Sequence, residues 1–309
     1  MSFFKNIKTE NIELKLPFLK DDGFEIFMKR EDLIHPIISG NKFRKLKYNI
    51  EKFKKNKNST LITFGGAYSN HLLAVSYIAK IENINTIAFV RGDELRGLPL
   101  NSTLQRCFDN GMEFKFISRE KYRFRNDSNF LKNLSSKYNN AFIIPEGGTN
   151  DLGILGCEEI LTLRDKNFFD VICVPVGSGG TFSGLINSSL KKQKILGFSA
   201  LKNSNIINVI NKFVNKNNWE LIDEDLFGGY AKSNQNLIHF INKFYNDSNI
   251  KLDPIYNSKM IFKILEIIKQ NKWIYGKKIL IVNTGGLQSV ESFNKTLKNK
   301  KCATINYSL

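Results

Sequence analysis

Short apolar runs alternate with amphipathic segments along the first half of this chain, and no other feature constrains its folding as tightly. Leu61-Ile62-Thr63-Phe64, Thr86-Ile87-Ala88-Phe89-Val90, Phe114-Lys115-Phe116-Ile117 and Ala141-Phe142-Ile143-Ile144 read as strands. Residues 69–81, 100–110 and 127–137 between them read as helices. Strands separated by helices cannot pair as tight hairpins, so this stretch predicts a small open parallel sheet covered by helices. After Pro145-Glu146-Gly147-Gly148 the pattern restarts. A helix over residues 153–163 leads to the most strongly strand-like run, Val171-Ile172-Cys173-Val174-Pro175-Val176. A glycine-rich turn and a helix from about Phe182 follow, then a strand at Lys194-Ile195-Leu196-Gly197-Phe198. Helices are predicted over 206–214, 234–246 and 258–270, and a last strand at Ile279-Leu280-Ile281-Val282. The chain therefore holds two α/β units, and the strand candidate Glu25-Ile26-Phe27-Met28-Lys29 could join either.

At 309 residues the chain is long enough for two such units. Its formal charge of +17 points at face value to nucleic acid or an anionic surface. The distribution argues against that. Lysines are scattered among Asn and Ile, as in Lys52-Phe53-Lys54-Lys55-Asn56-Lys57-Asn58, with no zinc-finger or RNA-binding signature beside them. A solvated basic surface accounts for the charge, and neither a nucleic acid nor a membrane is expected as a partner. Cys107, Cys157, Cys173 and Cys302 are widely spaced, which gives neither a disulfide framework nor a zinc site and fits a reducing cytosol. The N-terminus lacks the apolar stretch of a signal peptide, and no apolar run approaches the roughly 20 residues of a membrane span. A soluble, cytoplasmic protein is expected.

Chemistry concentrates in a few turns. Ser39-Gly40-Asn41-Lys42-Phe43-Arg44-Lys45 sets a lysine at the head of a predicted helix, behind the apolar Ile37-Ile38. A lysine on a solvated helix face needs no glycine and asparagine before it. An amine that must be held and kept uncharged part of the time, to bond a carbonyl cofactor, does. Lys45 lies one turn further along the same face, where it could reach a phosphate or stay in solvent. In Thr63-Phe64-Gly65-Gly66-Ala67-Tyr68-Ser69-Asn70-His71 a glycine turn presents polar side chains at the C-terminal end of a strand, where open α/β sheets bind ligands. Ser69 also stands where it would cap the next helix, and the two roles are compatible. His71 falls in that helix's first turn and reads as a structural histidine. Gly177-Ser178-Gly179-Gly180-Thr181 joins a buried strand to a helix, so its N–H groups can converge on an anion. No Lys-Ser/Thr pair follows it, and Phe182 takes the place of a third glycine, so neither nucleotide-loop pattern is met. Taken alone, that turn could equally be a tight strand-to-helix connection.

In combination these residues resemble one family, the 1-aminocyclopropane-1-carboxylate (ACC) deaminases and D-cysteine desulfhydrases. Besides the lysine, serine and glycine motifs, the resemblance rests on Lys29-Arg30-Glu31-Asp32-Leu33, on Arg91-Gly92 with Leu95-Arg96-Gly97 and Pro99-Leu100-Asn101, and on Pro145-Glu146-Gly147-Gly148-Thr149-Asn150. Leu252-Asp253-Pro254-Ile255-Tyr256 and Asn283-Thr284-Gly285-Gly286 complete the series. It implies a pyridoxal 5′-phosphate (PLP) enzyme of fold type II, the tryptophan-synthase-β-like α/β fold. That fold has two open twisted parallel-sheet domains with helices on both faces. The small domain would span residues 45–152, and the large, cofactor-binding one residues 1–44 and 153–309. Lys42 would be the lysine that bonds the cofactor and later moves protons. Asn70 would bond the 3′-oxygen of the ring. Gly177, Ser178, Gly179, Gly180, Thr181 and Lys45 would cradle the phosphate, and Ser69 would contact the substrate carboxylate or relay a proton. Tyr256 and Tyr230 match tyrosines near a small amino-acid substrate, and Thr284 matches a hydroxyl beside the pyridine nitrogen. A homodimer is common in this fold.

One departure bears on the substrate. Dedicated ACC deaminases carry a glutamate directly after the tyrosine that Tyr256 matches; here the residue is Asn257. A carboxylate near the pyridine nitrogen keeps it protonated and the ring a strong electron sink. A neutral residue suffices where the substrate brings a good β leaving group such as a thiolate. The resemblance with this departure favours β-elimination, D-cysteine giving pyruvate, sulfide and ammonia. The alternatives left open are ACC deamination, to 2-oxobutanoate and ammonia, and a PLP-binding homologue with little catalysis.

Overall fold

Each apolar run becomes a strand: most gain a residue or two at an end, Glu25–Lys29 and Val171–Val176 keep their bounds, and the run at 141–144 loses Ala141. The structure, a computed structural model, describes residues 3–4, 7–16, 23–139, 141–200, 205–223, 227, 229 and 232–307. Among them the strands in chain order are β1 (Asn11–Glu13), β2 (Glu25–Lys29), β3 (Thr60–Gly65), β4 (Asn85–Arg91) and β5 (Met112–Ile117). β6 (Phe142–Ile144), β7 (Val171–Val176), β8 (Lys194–Ser199), β9 (Trp219–Ile222) and β10 (Lys278–Val282) follow. They make a six-stranded sheet in the order β1-β2-β10-β7-β8-β9 and a four-stranded sheet in the order β5-β4-β3-β6. Every pairing is parallel except that of the edge strand β1 with β2.

The chain divides into two compact units. The larger takes the described residues of Met1–Ile34, Ser39–Asn41 and Cys157–Leu309, and the smaller takes His35–Ile38 and Lys42–Gly156. The long segment of the smaller unit, Lys42–Gly156, reaches a few residues beyond the 45–152 expected at either end, and the helices at its two ends pack on each other. A Cβ at Gly156 would stand 2.0 Å from the Arg44 carbonyl oxygen. Within it, Ile62, Phe64, Ile87 and Phe89 of β3 and β4 pack with Tyr122 and Leu134 on one face, and the helix Asn70–Glu82 contacts the same two strands.

In the larger unit β7 divides its side chains between two cores. Val171 and Cys173 join Met260, Ile261 and Ile264 of the helix Asn257–Lys269. Ile172, Val174 and Val176 join Phe182, Leu185 and Ile186 of the helix Gly180–Ser188. A strand buried on both faces reads as an unbroken apolar run, which is why β7 was the strongest strand signal. β2, which the sequence left unplaced, pairs with β10 in register Ile26 to Ile279.

The helix expected over 153–163 runs from Asp151 to Glu158, and a second, Leu163–Phe168, begins where it was expected to stop. Thr162 and Asp165 form a reciprocal capping box that starts the second. β1, β9 and the helix Ser289–Asn299 were not anticipated. Among the described residues no helix is long and apolar enough to cross a membrane.

Candidate active site

In the smaller unit, Lys42 is the second residue of the helix Asn41–Lys55 and is half-buried. Lys45, one turn on, is buried, and its ammonium donates to the Gly147 carbonyl at 3.0 Å and to Thr149 Oγ1 at 3.1 Å. The lysine read as a phosphate ligand thus ties its helix to the Glu146-Gly147-Gly148 turn. Ser69 caps the helix Asn70–Glu82, its Oγ accepting from the Leu72 N–H at 3.3 Å. Gly65 makes this turn possible: a Cβ there would lie 2.6 Å from Leu72 Cγ and 2.9 Å from Ser69 Oγ. Asn70, half-buried, opens that helix.

His71 is buried beside these residues. Its Nε2 lies 2.8 Å from Thr63 Oγ1, and that hydroxyl donates to the Ile144 carbonyl, also at 2.8 Å. A hydroxyl has one proton and a carbonyl only accepts, so His71 Nε2 carries the hydrogen and Nδ1 is left as an acceptor. Nδ1 is buried without a hydrogen-bond partner among the described residues. Burial first, then the charges of Lys42 and Lys45, hold the imidazole well below the ordinary histidine pKa. The unfolded chain therefore takes up a proton near pH 6.5 that the folded chain refuses. Stability from this group is full above that pH and is lost as pH falls, by up to about 1.4 kcal/mol per pH unit. Thermal melts between pH 7 and 5 should show a falling melting temperature, and His71→Gln should fall less over the same range.

In the larger unit, Gly177-Ser178-Gly179-Gly180-Thr181 follows β7 directly. Gly179 is the N-cap of the helix Gly180–Ser188, with φ +86°, and as a glycine it makes no side-chain cap there. A Cβ at Gly177 would come within 3.3 Å of the Tyr256 ring. Thr181 Oγ1 accepts from the Asn41 side-chain amide at 2.8 Å. Tyr256 is fixed by Asp253, which is buried and accepts from the backbone N–H groups of Ile255 (2.9 Å), Tyr256 (2.7 Å) and Asn257 (2.9 Å). Burial pushes the Asp253 carboxyl above its ordinary range, and these N–H groups act in the opposite sense.

The Asn257 amide is spent on protein partners. Its Nδ2 donates to Asp253 Oδ1 at 2.6 Å and to the Gly285 carbonyl at 3.2 Å. Its Oδ1 accepts from the Thr284 N–H at 3.0 Å and, at 3.4 Å, from the Thr284 hydroxyl. Lys259 donates to the Gly229 carbonyl at 2.6 Å; the next residue, Tyr230, lies outside the described residues. Asp253 holds the start of the helix Asn257–Lys269 in place, yet sequence reasoning gave it no role. The short spacing of Asp253 to Tyr256 and Asn257 was the available signal for a carboxylate capping a helix start.

Two features fit a cofactor that carries a phosphate and a carbonyl. The terminus at Gly179 and Gly180 offers backbone N–H groups at a helix start whose N-cap is a glycine, which is the donor set an anion takes. Lys42 supplies an amine at a half-buried helix head. Residues 8–285 match the family model described as pyridoxal-phosphate dependent enzyme. A putative 1-aminocyclopropane-1-carboxylate deaminase of Thermotoga maritima is 31% identical over 287 residues, 86% of this chain and 89% of that one. The mitochondrial bifunctional D-cysteine desulfhydrase/1-aminocyclopropane-1-carboxylate deaminase of Arabidopsis thaliana is 31% identical over 295 residues, covering 86% of this chain and 73% of that one. The crystal structure of an ACC deaminase homologue superposes with a TM-score of 0.79 at 23% identity, covering 95% of this chain and 94% of the other. The chain belongs to the pyridoxal-phosphate dependent enzyme family. It is an α/β enzyme of fold type II, and pyridoxal phosphate is its cofactor.

Proposed function

We propose that this enzyme eliminates the β substituent of a small D-amino acid, D-cysteine above all, and releases an α-keto acid and ammonia. The observation that carries the reading is the state of residue 257. It is a neutral amide with both N–H groups and its oxygen engaged by Asp253, Gly285 and Thr284. The Asp253 carboxylate behind it is turned to backbone N–H groups. A site built this way suits a substrate that carries its own leaving group.

Pyridoxal phosphate, when bound, supplies an electron sink for negative charge at the substrate's α-carbon. In this reading Lys42 holds the cofactor, and its amine takes and returns the α proton. Ser69 keeps a hydroxyl proton to donate while its oxygen caps a helix, so it can hold the substrate carboxylate at a terminus that favours anions. Asn70 would bond the ring oxygen, Gly177 to Thr181 would bind the phosphate, and Tyr256 would flank the substrate, a role that the resemblance gives to Tyr230 as well. Thr284 would offer its hydroxyl to the ring nitrogen.

ACC is the competing substrate: the name of the Thermotoga relative gives ACC deamination alone, and that of the Arabidopsis relative gives both activities. Purified enzyme should release pyruvate and sulfide from D-cysteine with a kcat/KM at least about tenfold above that for 2-oxobutanoate from ACC, a preference of about 1.4 kcal/mol. The reverse ratio would overturn the preference and leave ACC deamination as the activity.

A further inference from the structure

Asn41 is bonded directly to Lys42, and contacts within the larger unit decide where Asn41 sits. Its N–H donates to the Thr284 carbonyl at 3.3 Å, and its side chain donates to Thr181 Oγ1 at 2.8 Å. Gly40 before it has φ +65° and approaches so closely that a Cβ would fall 1.8 Å from the Thr284 oxygen. The Thr284–Gly285 turn is gripped in its turn by Asn257, which accepts from Thr284 and donates to the Gly285 carbonyl. The remaining Nδ2 proton goes to Asp253. A carboxylate only accepts, so Asp253 dictates which way round the Asn257 amide lies. Flipped, the amide would set oxygen against oxygen at Asp253 and Gly285, and N–H against N–H at Thr284.

We propose that Asn257 is a positioning residue for Lys42, acting through the Thr284–Gly285 turn and Asn41. The proposal rests on the reading of Lys42 as the cofactor-bearing lysine. It gives the departure at position 257 a second meaning: this framework requires a neutral N–H donor there, whatever the ring nitrogen needs. An ionised acidic side chain would leave the Gly285 carbonyl without its donor and place two carboxylates together in a buried site.

Borohydride reduction followed by peptide mapping reads how much Lys42 carries a pyridoxyl group at each concentration of added pyridoxal phosphate. Wild type is compared with Asn257→Asp, which has the same volume but no N–H group, and with Asn257→Ala. Leu237→Ala, in a separate core of the larger unit, serves as a control for general destabilisation. Melting temperatures are taken on the apoproteins. Both position-257 variants are expected to raise the half-saturating cofactor concentration at least about tenfold, the effect of losing one buried hydrogen bond. Leu237→Ala should stay within about twofold of wild type, since a cost paid in folding alone does not change the affinity of the folded fraction. The proposal is overturned if Leu237→Ala weakens attachment as much as the position-257 variants do, or if those variants label like wild type. A wild-type protein labelled elsewhere than Lys42 overturns the reading of Lys42 and this proposal with it.

Discussion

Lys42→Ala protein is expected to leave a column loaded with pyridoxal phosphate colourless, and to lose at least about 10⁴-fold in turnover. Covalent attachment and proton transfer fall on one amine in this reading, so both disappear together. Lys45 is the obvious substitute, one turn along the same helix, but its ammonium is held by the Gly147 carbonyl and Thr149 Oγ1. To replace Lys42 it would have to leave those oxygens and give up its proton. Lys42→Arg tests charge against chemistry: it keeps the cation and should be equally colourless, because a guanidinium stays protonated. Absorbance of the lysine-bound cofactor after removal of free cofactor, and keto-acid release from D-cysteine, are the measurements. A Lys42→Ala protein that kept both would remove Lys42 from the site.

The parts of this fold that the sequence made legible are those where one short segment carries the whole signal. β7 is an unbroken apolar run because both of its faces are covered, and it was found with its bounds intact. Asp127 and Ser69 announced helix starts because a cap is local chemistry. The glycine turns at Gly40 and Gly65 stood out because backbone or side-chain atoms of other segments come too close for any Cβ. β1 and β9 were invisible: they are three and four residues long, lie at the sheet edges and carry no buried residue. The ties that organise the site were invisible for a different reason. Asn41 meets Thr181 across 140 positions, and Asn257 meets Thr284 across 27, so no local pattern records either bond. Lys45 was ambiguous between phosphate and solvent; it is buried, and a carbonyl and a hydroxyl a hundred residues on are among its partners.

Asp165→Ala is expected to cost about 3–5 kcal/mol of folding stability, out of the roughly 5–15 kcal/mol a domain has. Lys29 and Asp165 pair at 2.8 Å with side chains only 2% and 1% exposed. The antiparallel register of β1 on β2 sets Asn11 opposite Lys29. Asn11 completes the arrangement, its amide donating to Asp165 at 2.5 Å and its oxygen accepting from Lys29 at 3.2 Å. Asp165 also caps its own helix by accepting from the Thr162 N–H at 2.8 Å. Without the carboxylate, the Lys29 ammonium would be buried with a single neutral acceptor, and the Thr162 N–H would lose its partner. The cost is that of an unpaired charge more than of a lost attraction, and this is separable. Lys29→Met/Asp165→Leu removes both charges at similar volume and should recover most of the loss, as buried pairs replaced by apolar residues often do. The pH dependence carries the same signature. Burial alone would push the Asp165 carboxyl up, but the hydrogen bond and charge of Lys29, with Thr162 and Asn11, bring it below its ordinary value of 3.8. Its contribution is therefore complete above that pH and lost as pH falls through the folded value. Urea unfolding from pH 7 down to 3 should show wild type converging on Asp165→Ala only below about pH 4. An Asp165→Ala protein within about 1 kcal/mol of wild type at pH 7 would mean that water or a rearranged Lys29 relieves the charge.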